Sequence, residues 1–164
     1  MFYDIVALHS LDSVGFPKYL YTPIFTDFCG VVLMMFNVNF WAVLVAAVVA
    51  FLFGWLWYSK ALFGNIYMKL EKPVKKKNMG AWMFLGFVTM LVTSYFLAVL
   101  VSSLGNATVF EGMFVAFWIW LGFATMKSLG GLIWGKKPPA LVWIEIFHDL
   151  ISFLIMGAIL GGWA

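Results

Sequence analysis

The sequence has no arginine and a single cysteine, and both shortages narrow the kinds of protein it can encode. All ten basic residues are lysines, so no guanidinium group is present to bind phosphate or carboxylate in a bidentate manner. Cys29 is the one cysteine, which excludes an internal disulfide framework and a four-cysteine metal site. Charged residues of both signs make up only 10% of the chain, against about 25% in soluble domains.

Apolar residues, in contrast, make up 65% of the chain, where a soluble domain has about 45–50%. This composition is typical of a membrane protein, whose partner is the lipid bilayer. The net charge of +3 does not indicate a nucleic-acid partner, because the lysines lie in loops beside apolar segments. Residues 1–10 contain Asp4 and no lysine, so they do not predict a secretory signal peptide.

Four apolar segments are each long enough to cross a hydrocarbon core of about 30 Å. They cover residues 39–58, 81–104, 109–134 and 140–163. The two lysine-bearing loops between them fall on the same side if the segments alternate in direction, and lysine-rich loops face the cytoplasm. The sequence therefore predicts an all-α integral membrane protein in which residues 37–164 form an antiparallel bundle of four transmembrane helices. Both termini and the loop around Asn106 would lie outside.

The loop after the first segment contains five apolar residues that would share one face of a helix. They are Leu62, Phe63, Ile66, Tyr67 and Leu70. We expect a short amphipathic helix here, lying on the cytoplasmic surface of the membrane. The lysines that follow, Lys75, Lys76 and Lys77, either bind anionic lipid or act only as charges that orient the chain.

Residues 1–36 precede the four segments and contain one apolar run, 28–36, that is too short to span a membrane. This N-terminal segment could lie at the interface, lengthen the first span, or extend the chain ahead of it.

Two sets of small residues predict close approach between helices. The first is a stripe at every fourth position, Ala42, Ala46, Ala50 and Gly54. The second is the pair Gly157 and Gly161, a GxxxG motif that either forms a dimer face or packs within the chain. Trp55, Trp57 and Tyr58, near the end of the first segment, are typical of an aromatic belt at a membrane interface.

Ionisable residues inside the last two segments are the best candidates for a functional site, because such groups are costly at membrane depth. Glu145 and His148 or Asp149 are three and four residues apart, so they share a helix face, and Ser152 extends that face by one turn. Lys127 lies seven residues before Trp134, or about 10 Å from the inner boundary at 1.5 Å per residue. The fourth-segment carboxylates lie at a similar depth. We call these five residues the polar layer.

Three interpretations of the polar layer remain open. Lys127 could form an interhelical ion pair with Asp149 or Glu145, since buried charges are generally paired. Alternatively, His148 and the two carboxylates could relay protons or ions, because histidine exchanges protons near neutral pH. Glu145-x-x-His148 also matches the pair used in di-iron bundles, but those need two such pairs and two further glutamates. No cofactor or metal is predicted.

Two function hypotheses from different classes follow. The first is an oligomeric transporter or channel whose pathway includes the polar layer. The second is a non-catalytic membrane subunit or scaffold in which that layer is a structural ion-pair network. Both expect a homo-oligomer or a partner within a membrane complex. No catalytic signature is present, so we do not expect an enzyme.

Three stretches of the sequence resemble a known family: the start VNFWAVLVAAVVAFLFGWLWYSKALFG, the central WLGFATMKSLGGLIWGKKP and the ending HDLISFLIMGAILGGW. Over residues 37–163 the chain resembles the bacterial and archaeal integral-membrane family catalogued as domain of unknown function 1761. The resemblance implies a four-span protein of the cytoplasmic membrane with undefined activity, and it implies no site residues.

Overall fold

The helices of the computed structural model lie within residues 38–70, 78–105, 107–135 and 137–163, which are the residues the structure describes. These ranges contain five helices and no strand. The helices are α1 (Phe40–Trp57), α2 (Gly64–Leu70), α3 (Met79–Ser102), α4 (Val109–Ile133) and α5 (Pro139–Gly162). The N-terminal segment 1–36 and the lysines Lys75, Lys76 and Lys77 lie outside the described residues.

Helices α1, α3, α4 and α5 are the four long apolar helices that the sequence predicts, and their ends lie within two residues of the expected positions. Their most apolar windows have mean hydropathies of 2.3, 2.2, 1.6 and 1.7 in chain order. Each is long and apolar enough to cross a membrane. The all-helical fold class is therefore confirmed.

Three of the four long helices start at residues that explain the start. At α1, the side chain of Asn39 accepts hydrogen bonds from the backbone N–H groups of Trp41 and Ala42, at 3.1 and 3.3 Å. At α4, Thr108 and Glu111 form a capping box in which each side chain accepts from the other's backbone N–H. Helix α5 starts with Pro139, whose missing N–H would have no partner in the first turn anyway.

The expected amphipathic helix is shorter than the sequence predicts, because Leu62 and Phe63 belong to the turn that precedes α2. The chain turns so tightly here that a Cβ on Gly64 would lie 2.6 Å from the carbonyl oxygen of Ser59. Phe63 packs against Trp57, with ring centroids 4.6 Å apart. Part of the predicted apolar face thus contacts the end of α1.

Helix α1 packs against both α3 and α5. Its small residues Ala42, Ala46 and Ala50 are at most 2% exposed. The contact with α3 includes a buried hydrogen bond, in which Ser94 Oγ donates to the carbonyl oxygen of Val43 at 3.0 Å. The alanine stripe is therefore covered by neighbouring helices of the same chain.

Helices α4 and α5 approach each other most closely where glycines meet. A Cβ on Gly157 would lie 2.5 Å from the carbonyl oxygen of Gly112 and 2.7 Å from Cβ of Ala116. A Cβ on Gly161 would collide with the backbone at Thr108 and Gly112. The GxxxG motif of α5 thus packs within the chain, and both of its glycines are buried.

Farther along, α4 contains a π-helical stretch, Trp120–Thr125. Trp120 Nε1 donates a hydrogen bond to the carbonyl oxygen of Ile146 on α5 at 3.0 Å. Beyond this contact, no residue of the last part of α4, Met126–Ile133, is buried. Leu129 and Leu132 of this part still pack against Val142 and Ile146 of α5, as partly buried side chains.

Candidate functional site

His148 of α5 is the most enclosed ionisable residue that the structure describes, at 5% exposure. Its imidazole is surrounded by rings from α1 and the residue after it. Phe53 stacks on it with centroids 5.9 Å apart and an interplanar angle of 15°, and Tyr58 lies 5.0 Å away. Trp57 completes the enclosure at 6.3 Å. These rings exclude solvent from most of the imidazole and fix its orientation.

The two ring nitrogens of His148 have different surroundings. Nδ1 lies 3.0 Å from Oδ1 of Asp149, and a carboxylate on one nitrogen determines which nitrogen of a neutral imidazole carries the proton. Nε2 points toward Gly54, where an added Cβ would lie only 3.0 Å from it. Within the described residues, Nε2 has no hydrogen-bond partner. Gly54, the last residue of the small-residue stripe, therefore leaves space for the imidazole of His148 and not for the backbone of another helix.

A polar cavity of about 320 Å³ opens between the end of α1, the last part of α4 and α5. Three of its lining residues come from α4 and three from α5, and the others are Tyr58 and Lys137. The α4 residues are Lys127, Ser128 and Gly131, and the α5 residues are Glu145, His148 and Asp149. The structure thus brings four of the five residues of the polar layer to one cavity.

The ion pair in this cavity differs from the one expected. Lys137, in the turn before α5, places Nζ 2.9 and 3.0 Å from the two carboxylate oxygens of Glu145. Its aliphatic chain lies over Gly131, where an added Cβ would be 3.4 Å from Lys137 Cδ. Among the described residues, neither Glu145 nor Asp149 pairs with Lys127, which is exposed. The turn folds Lys137 back over the cavity, so a nearer lysine takes the place predicted for Lys127.

The polar layer is also less uniformly buried than the sequence predicts. Only His148 and Ser152 are buried, at 5% and 2% exposure. The side chains of Glu145 and Asp149 are 19% and 34% exposed. Of the two carboxylates in the hypothetical relay, only Asp149 contacts His148, whereas Glu145 pairs with Lys137.

A second cavity, an apolar groove of about 330 Å³, lies between α1, α3 and α5. Its walls include Phe51 and Trp55 of α1 and Met83 and Met90 of α3. His148 and Tyr58 line both this groove and the polar cavity. The pair therefore forms the partition between a polar and an apolar space.

The part of the chain that the structure describes contains no group of three or more histidine, cysteine, aspartate or glutamate side chains arranged to hold a metal ion.

Sequence reasoning missed the residues that enclose His148. The sequence predicts Trp57 and Tyr58 to be members of an aromatic belt at the membrane interface. In the structure their rings pack against the imidazole of His148. One signal was available: Phe53 and Trp57 are four residues apart, as are Gly54 and Tyr58. This spacing puts the aromatic pair Phe53 and Trp57 on one row of the helix and Gly54 and Tyr58 on the neighbouring row.

In the residues that the structure describes, the chain is all-helical, with four long apolar helices and a polar cavity that lies between the end of α1, α4 and α5 and contains a buried histidine. A family model described as Protein of unknown function (DUF1761) matches residues 41–161. The chain belongs to this family, which confirms the resemblance seen in the sequence. No curated protein and no solved structure matches the chain.

Proposed function

We propose that this chain is an integral membrane protein whose helices α1, α3, α4 and α5 cross the bilayer as an antiparallel bundle. The exposed apolar side chains support this proposal, because a soluble protein rarely exposes large contiguous apolar patches. Trp41 is 75% exposed, Phe110 82% and Phe123 75%. The lysine-bearing loops would face the cytoplasm, with α2 on that surface and both termini outside.

We further propose that the protein is a non-enzymatic transporter or channel that moves protons or a small solute through the cytoplasmic half of the membrane. One observation carries this proposal: buried His148, in contact with Asp149, separates two cavities of about 320 and 330 Å³. A histidine at this position can accept a proton from one space and release it to the other.

An oligomer remains part of the proposal, since four helices alone leave little room for a pathway. The two sets of small residues that the sequence suggests for helix contacts are not available for self-association. Ala42, Ala46 and Ala50 are covered by helices of the same chain, and Gly157 and Gly161 are covered by α4. A second copy would instead meet the exposed apolar faces of the helices.

Proton flux in proteoliposomes containing a pH-sensitive dye tests the transport proposal. His148→Gln keeps a polar side chain of similar size but cannot exchange protons, and we expect it to abolish most of the flux. Asp149→Asn should do the same. Glu111→Gln is the matched control, because it neutralises a carboxylate outside the cavity and glutamine also forms a capping box. Wild-type flux in His148→Gln and Asp149→Asn, with helical content preserved, would refute the proposal.

A second candidate is a non-catalytic subunit or scaffold, favoured by the two-oxygen contact between Lys137 and Glu145. In this role the charges only fasten the turn between α4 and α5. Lys137 is 43% exposed, so solvent screening limits the pair to about 0.5–1 kcal/mol.

A double-mutant cycle of Lys137→Met and Glu145→Gln on thermal stability in detergent should therefore show coupling of about 0.5–1 kcal/mol. The matched cycle with Lys127→Met in place of Lys137→Met should show none. Coupling of Glu145 to Lys127 and not to Lys137 would contradict this account.

A further inference from the structure

The charges on the wall of the polar cavity do not all cancel one another. Lys137 and Glu145 form a close pair, so their charges largely compensate locally. Two charged residues remain, Lys127 on α4 and Asp149 on α5. Any ligand of this cavity meets these two charges.

Asp149 contacts His148 through one carboxylate oxygen. A neutral imidazole can donate its Nδ1–H to Oδ1 of Asp149 at 3.0 Å, which orients the carboxylate without neutralising it. The Asp149 side chain is 34% exposed, so it stays accessible from the cavity. It can therefore accept hydrogen bonds from a cationic group that enters the cavity.

Lys127 supplies the opposite charge. Its ammonium group pairs with no carboxylate among the described residues, and its neighbour Ser128, which also lines the cavity, adds a hydroxyl group. Lys127 and Asp149 thus line one cavity without forming a salt bridge to each other. The cavity therefore presents one positive and one negative side chain that do not pair with each other.

We propose that the polar cavity binds a small zwitterion, with the ammonium group of the ligand at Asp149 and its acidic group at Lys127. Charge-assisted hydrogen bonds of this kind are roughly twice as strong as neutral ones. A volume of about 320 Å³ lies at the lower end of the range for ligand pockets, about 300–1,000 Å³. The ligand is therefore of the size of an amino acid or an aminoethyl phosphate.

This chemistry has two sources: a free zwitterion in the cytoplasm, or the headgroup of an ethanolamine phospholipid in the adjacent leaflet. The inference rests on the proposed function in that it assigns a ligand to the same cavity. Binding at equilibrium is measured without any flux, so it can succeed where the transport proposal fails, and it can fail where proton flux is observed.

The experiment measures thermal stabilisation of the detergent-solubilised protein during titration with O-phosphoethanolamine, glycine or inorganic phosphate. A second arm compares nanodiscs of phosphatidylethanolamine with nanodiscs of phosphatidylcholine, whose methylated amine has no N–H donors. Saturable stabilisation by O-phosphoethanolamine or glycine identifies a free ligand. Stabilisation only in the phosphatidylethanolamine nanodiscs identifies the lipid.

In either arm, Lys127→Gln and Asp149→Asn should each weaken binding by about tenfold or more. Lys69→Gln, which removes an exposed lysine of α2, should leave binding unchanged. Lys127 is exposed and asparagine has the shape of aspartate, so both variants should fold. The proposal is overturned if no zwitterion or ethanolamine lipid stabilises the protein, if inorganic phosphate binds as tightly as O-phosphoethanolamine, or if both variants keep wild-type affinity.

Discussion

Replacing Gly157 by alanine tests the contact between α4 and α5 most directly. The new Cβ would lie 2.7 Å from Cβ of Ala116 and 2.5 Å from the carbonyl oxygen of Gly112. Two aliphatic carbons normally lie about 3.5–4.0 Å apart, so the helices must separate by about 1 Å. The carbonyl oxygen of Gly112 is a backbone atom and Cβ of Ala116 is bonded directly to the backbone. Neither atom can therefore move without moving α4.

Separating two packed surfaces by about 1 Å forfeits up to half of the dispersion energy at their contact. We expect Gly157→Ala to lower the free energy of unfolding by about 1–3 kcal/mol, the usual cost of overpacking. This loss occurs although alanine is the better helix former by about 1 kcal/mol. Thermal unfolding in detergent, followed by circular dichroism, gives the measurement.

Gly130→Ala is the matched control, because a Cβ at this helical position would meet nothing within 4 Å. It should leave stability unchanged or raise it by up to about 1 kcal/mol. The loss in Gly157→Ala should also be independent of protein concentration, because the contact lies within one chain. Equal stability of the two variants, or a loss that appears only as dissociation of an oligomer, would refute this reasoning.

Two hydrogen bonds between helices support two further predictions. Trp120→Phe removes the hydrogen bond to the carbonyl oxygen of Ile146 and should lower the free energy of unfolding by about 1 kcal/mol. Trp118→Phe, at an exposed position, should lower it much less. Equal losses in the two variants would contradict a stabilising role for this hydrogen bond. Ser94→Ala removes the bond to the carbonyl oxygen of Val43 and should cost about 0.6 kcal/mol, measured by the same thermal unfolding, and an unchanged midpoint would count against it.

The four long helices could be predicted because their length and apolar content suffice to identify them. Depth along a helix could also be predicted, since each residue adds about 1.5 Å. This is why Lys127, Glu145 and Asp149 do line one cavity. The rotation of α4 about its axis could not be predicted, because it depends on the π-helical stretch before Lys127. One extra residue in a turn changes the direction of all later side chains by about 100°.

The partner of Glu145 depends on the path of a turn and not on helix geometry. Lys137 reaches Glu145 because the turn before Pro139 folds the lysine back across Gly131. The sequence contains both Lys127 and Lys137 and does not show which of them pairs with Glu145. Similarly, the enclosure of His148 depends on which face of α1 meets α5. The stripe of small residues that ends at Gly54 indicated that face of α1. It did not indicate that the imidazole of His148 would lie against Gly54.

The glycine contact between α4 and α5 has a mechanical consequence. Gly112 and Lys127 are fifteen residues apart on α4, which corresponds to about 22 Å along a helix. Between these two residues, Trp120 donates a hydrogen bond to the carbonyl oxygen of Ile146, so α4 is attached to α5 at two levels. Lys127 lies seven residues beyond Trp120, or about 10 Å along the helix. A displacement at the glycines therefore reaches the polar cavity only through the Trp120 contact.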